Sequence, residues 1–290
     1  MITARLMGGL GNQLFQYAAG FALARRLGVP LQLDATWFRG VTGRRYALEP
    51  FTLSGRVASD SELRAAGIRH PSAWARGLAR VGIRKPAAIR GHAREPGFSY
   101  WDGFLSLGDG AYLDGYWQSE RYFAEVAQVA RAEFALRRPP DAENQRMLDA
   151  IRGAEAVGIH ARRGDYVTDA RTRDVHGHAP AEYYAAAVAR IRSLVRAPAF
   201  FVFSDDPAWA AQHLRVDPAT VIVGHNDAGR DYEDLRLMSA CRHHIIANST
   251  FSWWAAWLGE RPGQRVIAPR HWFRDGPDAR DLVPARWERR

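Results

Sequence analysis

AFFVFSDDP, residues 199–207, is an apolar run of strand length that ends in three polar residues and a proline. Aromatic and β-branched residues favour a strand, and Pro207 is typical of the first turn of a helix. The order recurs through the second half: we expect strands at 156–161, 199–204, 220–223, 243–247 and 265–268, and helices at 181–195, 207–214, 231–241 and 250–258. Strands that alternate with helices predict a mostly parallel α/β sheet of the Rossmann type.

The first half of the chain starts with the same alternation and then loses it. We expect a strand at 2–7, a glycine-rich loop at 8–13, a buried helix at 13–27 and a strand at 30–34. Residues 40–110 have weak periodicity, and strand character returns at 112–117 before a helix at 119–136. Because Pro139 and Pro140 follow that helix, we place the inter-domain connection at 137–152 and the domains at 1–145 and 146–290.

The composition describes a globular protein. Of the 290 residues, 47% are hydrophobic and 24% are charged, and no apolar run reaches the ~18 residues of a membrane-spanning helix. Cys241 is the only cysteine, which excludes an intramolecular disulfide and suits a reducing compartment. We therefore expect a cytoplasmic protein without signal peptide or membrane anchor, and leave peripheral contact with the inner face of a membrane open.

The net charge of +9 comes from arginines scattered along the chain. A nucleic-acid-binding protein would concentrate this charge on one element with a recognisable motif, and the sequence has none. An anionic substrate or an anionic membrane surface explains the charge as well. We therefore expect no nucleic-acid partner.

The first candidate site is the loop between the first strand and the first helix. It contains Gly9, Gly11, Asn12 and Gln13, and its glycines let the backbone approach a ligand while helix-start amides point at it. Leu14 stands where a dinucleotide fingerprint needs glycine, and no phosphate-loop lysine follows, so NAD and ATP fit poorly. The alternative is a tight turn that needs glycine.

The second candidate lies at the end of the strand at 156–161, where ligands bind in open α/β sheets. It comprises His160, Arg162, Arg163 and Asp165. A guanidinium can hold a diphosphate through two hydrogen bonds, and two adjacent arginines cannot both point at one ligand. The alternative is a surface cluster of ion pairs.

The third candidate is the pair Asp205 and Asp206, after the strand at 199–204. Adjacent carboxylates can accept hydrogen bonds from a guanine edge or bind a divalent ion, whereas Ser204 or Asp205 can also simply cap the following helix. Because the chain contains no Asp-x-Asp, we expect no metal ion and no cofactor.

The fourth candidate is the start of the helix at 250–258, with Ser249, Thr250, Phe251 and Ser252. Hydroxyls and helix-start amides suit a pyrophosphate, although Ser249 can also be an ordinary N-cap and the following tryptophans core residues. The four clusters together predict a nucleotide in a cleft between two domains, with arginine and amides neutralising its charge.

The motifs and their order along the chain resemble those of the α-1,2-fucosyltransferases of glycosyltransferase family 11. The matching blocks are GGLGNQLFQY at 8–17, LDGYWQSE at 113–120, HARRGDY at 160–166, and the segments 203–206, 234–258 and 281–287. Two departures are His244, where the family pattern has asparagine, and Ala255, where it has glycine. Residues 70–100 match no block.

The resemblance implies an α/β fold with GT-B architecture: two Rossmann-like domains with the nucleotide-sugar site in the cleft between them. It implies a metal-independent, inverting transfer of L-fucose from GDP-β-L-fucose to the 2-hydroxyl of a terminal galactoside. Domain 1–145 would lie on the acceptor side, and domain 146–290 would bind GDP-fucose. The acceptor would be a galactoside-terminated oligosaccharide or lipid-linked glycan.

The resemblance also implies roles for the candidates of the second domain. Arg162 would hold the β-phosphate of the leaving GDP, with His160 beside the nucleotide. Asp205, in preference to Asp206, would read the guanine. The pyrophosphate would be held by Ser249, Thr250, Phe251 and Ser252.

In the first domain, Asn12 and Gln13 would face the fucose or the attacking hydroxyl, next to Gly9 and Gly11. Asp165 is our candidate either for the base that deprotonates this hydroxyl or for the group that orients Arg162.

Three other functions remain possible on sequence grounds. A lectin could use the ten tryptophans to stack on sugars, but it would not need paired arginines at a strand end. A basic nucleic-acid-binding protein would bind random DNA in a salt-sensitive way. A transferase of the same fold could use another nucleotide sugar as donor.

Overall fold

The computed structural model describes residues 1–68, 89–163, 179–273 and 278–290. The chain forms two compact units, Met1–Ala135 and Leu136–Arg290. This division lies earlier in the chain than the expected boundary at 145/146. The reason is that a helix at Ala142–Arg152 belongs entirely to the second unit.

The expectation that residues 137–152 are a connection is wrong for most of that range. Asp141 caps the helix at Ala142–Arg152 by accepting a hydrogen bond from the Asn144 amide at 2.9 Å. The buried residues Asn144, Leu148 and Ile151 recur at helical spacing and attach the helix to the second unit.

The first unit is built on a five-stranded parallel sheet in the order β3-β2-β1-β5-β4. Its strands are β1 (Ile2–Arg5), β2 (Leu31–Asp34), β3 (Arg56–Val57), β4 (His92–Arg94) and β5 (Tyr112–Asp114). Its helices are α1 (Leu10–Leu27), α2 (Asp60–Ala65) and α3 (Ala127–Glu133). The sequence predicted β1, α1, β2 and β5 but missed β3, β4 and α2.

Helix α1 begins at Leu10, so the glycine-rich loop is shorter than expected. Gly8 supplies the turn with a φ of +78°, and Gly9 occupies the N-cap position. The helix then packs tightly on the sheet at Gly20, where a Cβ would lie 2.9 Å from side-chain carbons of Ala4 and Leu31. Close packing on β1 and β2 fixes the start of α1 at the carboxyl end of β1.

The single helix expected at 119–136 is wrong. The segment forms two short 3-10 turns, Glu120–Tyr122 and Ala124–Val126, before α3. The break falls at Phe123, whose φ of −133° is not helical. The ring of Phe123 is buried, and its centre lies 6.1 Å from the centre of the Phe15 ring. Burial of aromatic side chains outweighs the helical pattern here.

The second unit contains a six-stranded parallel sheet in the order β11-β10-β9-β6-β7-β8. Its strands are β6 (Ala156–Ala161), β7 (Ala199–Ser204), β8 (Val221–Val223), β9 (His243–Ile245), β10 (Val266–Ala268) and β11 (Glu288–Arg289). Its helices are α4 (Ala142–Arg152), α5 (Ala181–Leu194), α6 (Pro207–His213), α7 (Asp231–Ala240) and α8 (Thr250–Leu258). The sequence predicted β6 to β10 and α5 to α8 within a residue or two. It missed β11, which has only two residues.

The core of the second unit is apolar and aromatic. Val157, Ile159, Phe200 and Val202 of β6 and β7 are buried against α5. On the other face of β6, Cys241 is buried beside Gly158, and burial raises the pKa of its thiol. The described helices include none that is long and apolar enough to cross a membrane.

Candidate functional site

The candidate groups of the second unit follow three adjacent strands. β6 pairs with β7 on one side and with β9 on the other, all in parallel. From β6 the chain proceeds outward to β8 and then crosses back to β9, so the strand order reverses beside β6. In open α/β sheets, ligands bind beyond the carboxyl ends of the strands at such a reversal.

Arg162 and Asp205 form an ion pair at this edge. Ala161 of β6 is paired in register with Ser204 of β7, which places the two following residues side by side. Arg162 Nε lies 3.2 Å from Asp205 Oδ2, and both side chains are about a quarter exposed, at 25% and 24%. Asp205 Oδ1 also accepts a hydrogen bond from the backbone amide of Arg163 at 2.8 Å. Asp205 therefore orients Arg162 while leaving its guanidinium accessible.

Arg163 is held in a separate environment. Its guanidinium lies 4.2 Å from the centre of the Trp209 ring, and its Nε lies 3.6 Å from Asp206 Oδ2. Asp206 also caps α6, because its Oδ1 accepts a hydrogen bond from the Trp209 amide at 3.0 Å. The cap of α6 is thus Asp206, and not Ser204 or Asp205.

His160 is buried next to the start of α8. Its ring lies 5.4 Å from the ring of Phe251, and its backbone carbonyl accepts a hydrogen bond from the Tyr184 hydroxyl at 3.1 Å. Burial lowers the pKa of His160 to about 4, so the imidazole is neutral near pH 7. Within the described ranges, His160 Nδ1 has no hydrogen-bond partner. A buried nitrogen of this kind can serve a bound ligand.

The start of α8 supplies backbone amides close to His160. Ser249 occupies the N-cap position without a side-chain capping bond, so its hydroxyl is not used to close the helix. Thr250 and Phe251 are partly exposed, whereas the Ser252 hydroxyl is buried and donates to the Ser249 carbonyl at 3.2 Å. The geometry therefore makes Ser252 part of the helix start, while Thr250 and Phe251 lie partly exposed beside it.

Asp165, our candidate for the base or for the group that orients Arg162, lies outside the described residues, as does the rest of 164–178. Among the described residues, Asp205 is a group that orients Arg162. The same part of the chain contains no cluster of three or more His, Cys, Asp or Glu side chains that could hold a metal ion.

The candidates of the first unit divide into accessible and structural residues. Gly9 and Asn12 are partly exposed, and Asn12 Oδ1 accepts a hydrogen bond from the Gln118 amide at 3.0 Å. Gln13 is fully buried, with its side-chain amide donating to the carbonyls of Gly8 and Arg45 and its Oε1 accepting from Ala47 N at 2.9 Å. Gly11 is likewise buried in the first turn of α1. The structure thus gives Gln13 the role of holding residues 45–47 against the glycine loop.

Two tyrosines that the sequence patterns did not single out position the strand ends. On α5, the buried Tyr183 hydroxyl donates hydrogen bonds to the backbone carbonyls of Ile246 and Ile267, at 2.7 and 3.0 Å. The Tyr184 hydroxyl donates to the backbone carbonyl of His160. They fix the ends of β6, β9 and β10 at the site edge. The only sequence signal is a tyrosine pair within an otherwise alanine-rich helix.

Comparisons with known proteins show which family the sequence resembles. The sequence model described as Glycosyl transferase family 11 matches residues 99–276. An Alpha-1,2-colitosyltransferase of Escherichia coli is 32% identical, covering 100% of this chain and 98% of its own length. The O-antigen biosynthesis glycosyltransferase WbnK of E. coli is 30% identical, with coverages of 92% and 93%. The Galactoside alpha-(1,2)-fucosyltransferase 2 of Bos taurus is 26% identical, with coverages of 98% and 76%.

Two solved structures share the fold at low identity. POFUT1, determined in complex with GDP-fucose, is 14% identical with a TM-score of 0.53, covering 92% of this chain and 97% of its own. The NodZ alpha-1,6-fucosyltransferase, soaked with GDP-fucose, is 17% identical with a TM-score of 0.51 and coverages of 89% and 91%. The expected GT-B fold class is confirmed.

Proposed function

This chain belongs to glycosyltransferase family 11, as its motifs predicted, and from that premise we propose that it transfers L-fucose from GDP-β-L-fucose to the 2-hydroxyl of a terminal galactoside, with inversion. The observation that carries this proposal is the Arg162–Asp205 pair at the carboxyl ends of β6 and β7. It places a fixed, accessible guanidinium where a nucleotide binds in such sheets.

The proposed chemistry needs positive charge at the leaving group. Sugar transfer passes through an oxocarbenium-like state in which the departing diphosphate gains negative charge. Arg162, already oriented by Asp205, would stabilise that charge without reorganising during the reaction. The first-turn amides of α8, at Ser249, Thr250 and Phe251, add partial positive charge on the same edge.

His160 would assist as a neutral group. With its pKa lowered to about 4 by burial, the imidazole carries no charge to compete with Arg162 near pH 7. Its Nδ1 can form one hydrogen bond with the bound nucleotide. Asp205 accepts from Arg162 and from the Arg163 amide. Because a carboxylate can accept about four hydrogen bonds, it could also read the guanine while it holds Arg162.

The reaction is proposed to require neither metal ion nor cofactor. The proposal rests on the absence of Asp-x-Asp from the sequence and on the arginine at the strand end. GDP-fucose is then a co-substrate, and protein groups alone balance the charge of its diphosphate.

The identity to a colitosyltransferase supports a second candidate donor, GDP-colitose. Colitose lacks the 3-hydroxyl of fucose, so the two donors differ by one hydroxyl group. A site built to hydrogen-bond this hydroxyl would reject the deoxy sugar, whereas an apolar contact would accept it.

The acceptor is proposed to be a galactoside at the end of an oligosaccharide or of a lipid-linked glycan. The name of one relative, an O-antigen biosynthesis glycosyltransferase, supports a surface polysaccharide precursor. The net charge of +9 would favour an anionic membrane surface that carries such a precursor, which agrees with a peripheral, cytoplasmic location.

The test is a panel of nucleotide sugars, including GDP-fucose, GDP-colitose, GDP-mannose and UDP-galactose, assayed with free and lipid-linked galactosides. We expect transfer from GDP-fucose and an α-1,2 linkage in the product by NMR. Transfer from GDP-colitose alone would show that the donor is GDP-colitose and not GDP-fucose. Binding of galactosides without turnover of any donor would favour a lectin instead. Six of the ten tryptophans make that outcome unexpected, because they are buried in the structure: Trp117, Trp253, Trp254, Trp257, Trp272 and Trp287.

A further inference from the structure

Glu95 lies at the carboxyl edge of the sheet in the first unit, directly after β4. β4 pairs with β5, which pairs with β1, and the glycine loop follows β1. The strand order reverses between β1 and β5, so the loops that follow β1 and β5 border the ligand crevice expected for this sheet. Glu95 follows the edge strand β4 and contacts the loop after β5 through the amides of Tyr116 and Trp117.

The carboxylate of Glu95 shapes the loop after β5. Its Oε2 accepts hydrogen bonds from the backbone amides of Tyr116, at 2.6 Å, and Trp117, at 3.0 Å. Trp117 is held with a φ of +55°, a conformation that a bulky residue rarely adopts. A Cβ at Gly115 would lie 2.7 Å from Glu95 Oε2, so glycine is needed for the carboxylate to sit there. Backbone strain of this kind is characteristic of functional sites.

Within the described ranges, Glu95 is a carboxylate without a cationic partner. Among the residues that the structure describes, no lysine or arginine forms an ion pair with it, and its side chain is only partly exposed. Burial raises its pKa to about 7, although the two backbone hydrogen bonds act in the opposite direction. The nearby charges on the strands pair with each other instead: Asp114 binds Arg5 at 2.7 Å and His92 at 2.9 Å.

The surroundings of Glu95 suit a sugar. Tyr116 stacks on Phe98 with ring centres 6.0 Å apart and planes at 12°, and both rings are partly exposed. Such rings can pack against the apolar face of a pyranose. The Tyr116 phenol is within electrostatic range of Glu95, Arg5 and Arg44, and Arg44 in turn lies next to Gly9. Aromatic surface, carboxylate and glycine loop therefore lie on the same edge of this unit.

We propose that Glu95 is the base of the transfer reaction, with Tyr116 and Phe98 forming the surface on which the acceptor galactose rests. This inference rests on the proposed function. As the acceptor oxygen forms its bond to the anomeric carbon, the bond from that carbon to the diphosphate breaks, and its electron pair leaves with GDP. The proton of the attacking hydroxyl passes to the Glu95 carboxylate and then to water. Asp165 is then not required as the base.

The test compares Glu95→Gln with a matched control, Glu133→Gln. Glutamine keeps an oxygen that can accept from the Tyr116 and Trp117 amides, so the loop is preserved while the proton acceptor is lost. Glu133 belongs to the same unit and also accepts hydrogen bonds, from Tyr17 and Ser54, but lies on α3 near the amino end of β3 and not at the carboxyl ends of the strands. The measurements are kcat, the acceptor KM, the dissociation constant of GDP, and the pH profile of kcat/KM.

We expect wild-type kcat/KM to rise with pH and level off above about pH 7, because only ionised Glu95 accepts the proton. Glu95→Gln should lower kcat by about 10²–10⁴-fold and abolish that rise, with GDP affinity unchanged. Glu133→Gln should retain the wild-type kcat and profile. Residual kcat above one-tenth of wild type in Glu95→Gln, or an unchanged pH profile, would overturn the inference. Transfer by the wild-type enzyme in the same assay tests the proposed function separately.

Discussion

Replacing Arg162 by lysine tests the central charge of the proposed mechanism. Lysine keeps the positive charge but removes both Nε, which lies 3.2 Å from Asp205, and the planar pair of donors that can grip a diphosphate. If Arg162 stabilises the leaving GDP, turnover should fall about 10²–10³-fold, which corresponds to about 2.7–4 kcal/mol.

The same substitution should have little effect on stability. Arg162 and Asp205 are each about a quarter exposed, at 25% and 24%, so solvent screens their interaction. Ion pairs of this kind contribute at most about 1 kcal/mol to the free energy of unfolding. A shift of only a few degrees in Tm is therefore expected, and a large loss of turnover cannot then be attributed to unfolding.

Arg163→Lys is the matched control. Its guanidinium packs on Trp209 at 4.2 Å and lies next to Asp206, so lysine loses a stacking contact but no contact with the proposed diphosphate site. Turnover should remain within a few-fold of wild type. The assay is initial-rate transfer with saturating donor and acceptor, together with thermal unfolding of both variants. Near-normal turnover in folded Arg162→Lys would refute the two-point grip, and loss of turnover in Arg163→Lys alone would transfer the role to Arg163.

Three further predictions follow from the site and the core. Transfer should persist in excess EDTA, and complete loss restored by Mg²⁺ or Mn²⁺ would contradict a metal-independent mechanism. Asp205→Asn should weaken GDP binding about 10- to 100-fold in titration calorimetry, because Arg162 loses its charged partner; unchanged affinity in the folded variant would remove Asp205 from the site. The third prediction concerns His244. Burial lowers the pKa of its imidazole to about 4. The unfolded chain therefore binds a proton at His244 below about pH 6.5, whereas the folded chain binds that proton only near pH 4. The free energy of unfolding therefore falls by up to about 3 kcal/mol as the pH decreases from about 6.5 to about 4. The Tm of His244→Asn should decline less steeply over this pH range than that of the wild type. Parallel Tm profiles of the two proteins would contradict this reasoning.

The second unit could be predicted from the sequence because its signals are local. Strands β6 and β7 are continuous apolar runs, and Pro207 marks the start of α6. The first unit offered fewer such signals, since β3, β4 and β5 have two or three residues each. Short strands gain their stability from neighbours that are distant in sequence, which no window of sequence records.

The candidate site could be located from the sequence, but its internal partners could not. That Arg162 and Asp205 each follow a strand was expected, whereas their pairing depends on the adjacency and register of β6 and β7. Gln13 and Ser252 illustrate the reverse case, because their polarity suggested a ligand and the structure uses it for internal hydrogen bonds. A sequence gives the chemistry of a side chain, whereas its available partners depend on the packing around it.

The two units share a topological feature but present different chemical groups beside it. In each sheet the strand order reverses, beside β1 in the first and beside β6 in the second, and the candidate groups follow the strands at that point. The second unit presents a guanidinium and helix-start amides, which suit an anionic leaving group. The first presents a carboxylate with a raised pKa and partly exposed aromatic rings, which suit a neutral sugar that must lose a proton. The proposed inverting transfer would use both kinds of group, because charge leaves with GDP while a proton leaves the acceptor. On this reasoning a substitution in the second unit should change GDP affinity, and one at Glu95 should change the pH dependence of turnover without changing that affinity.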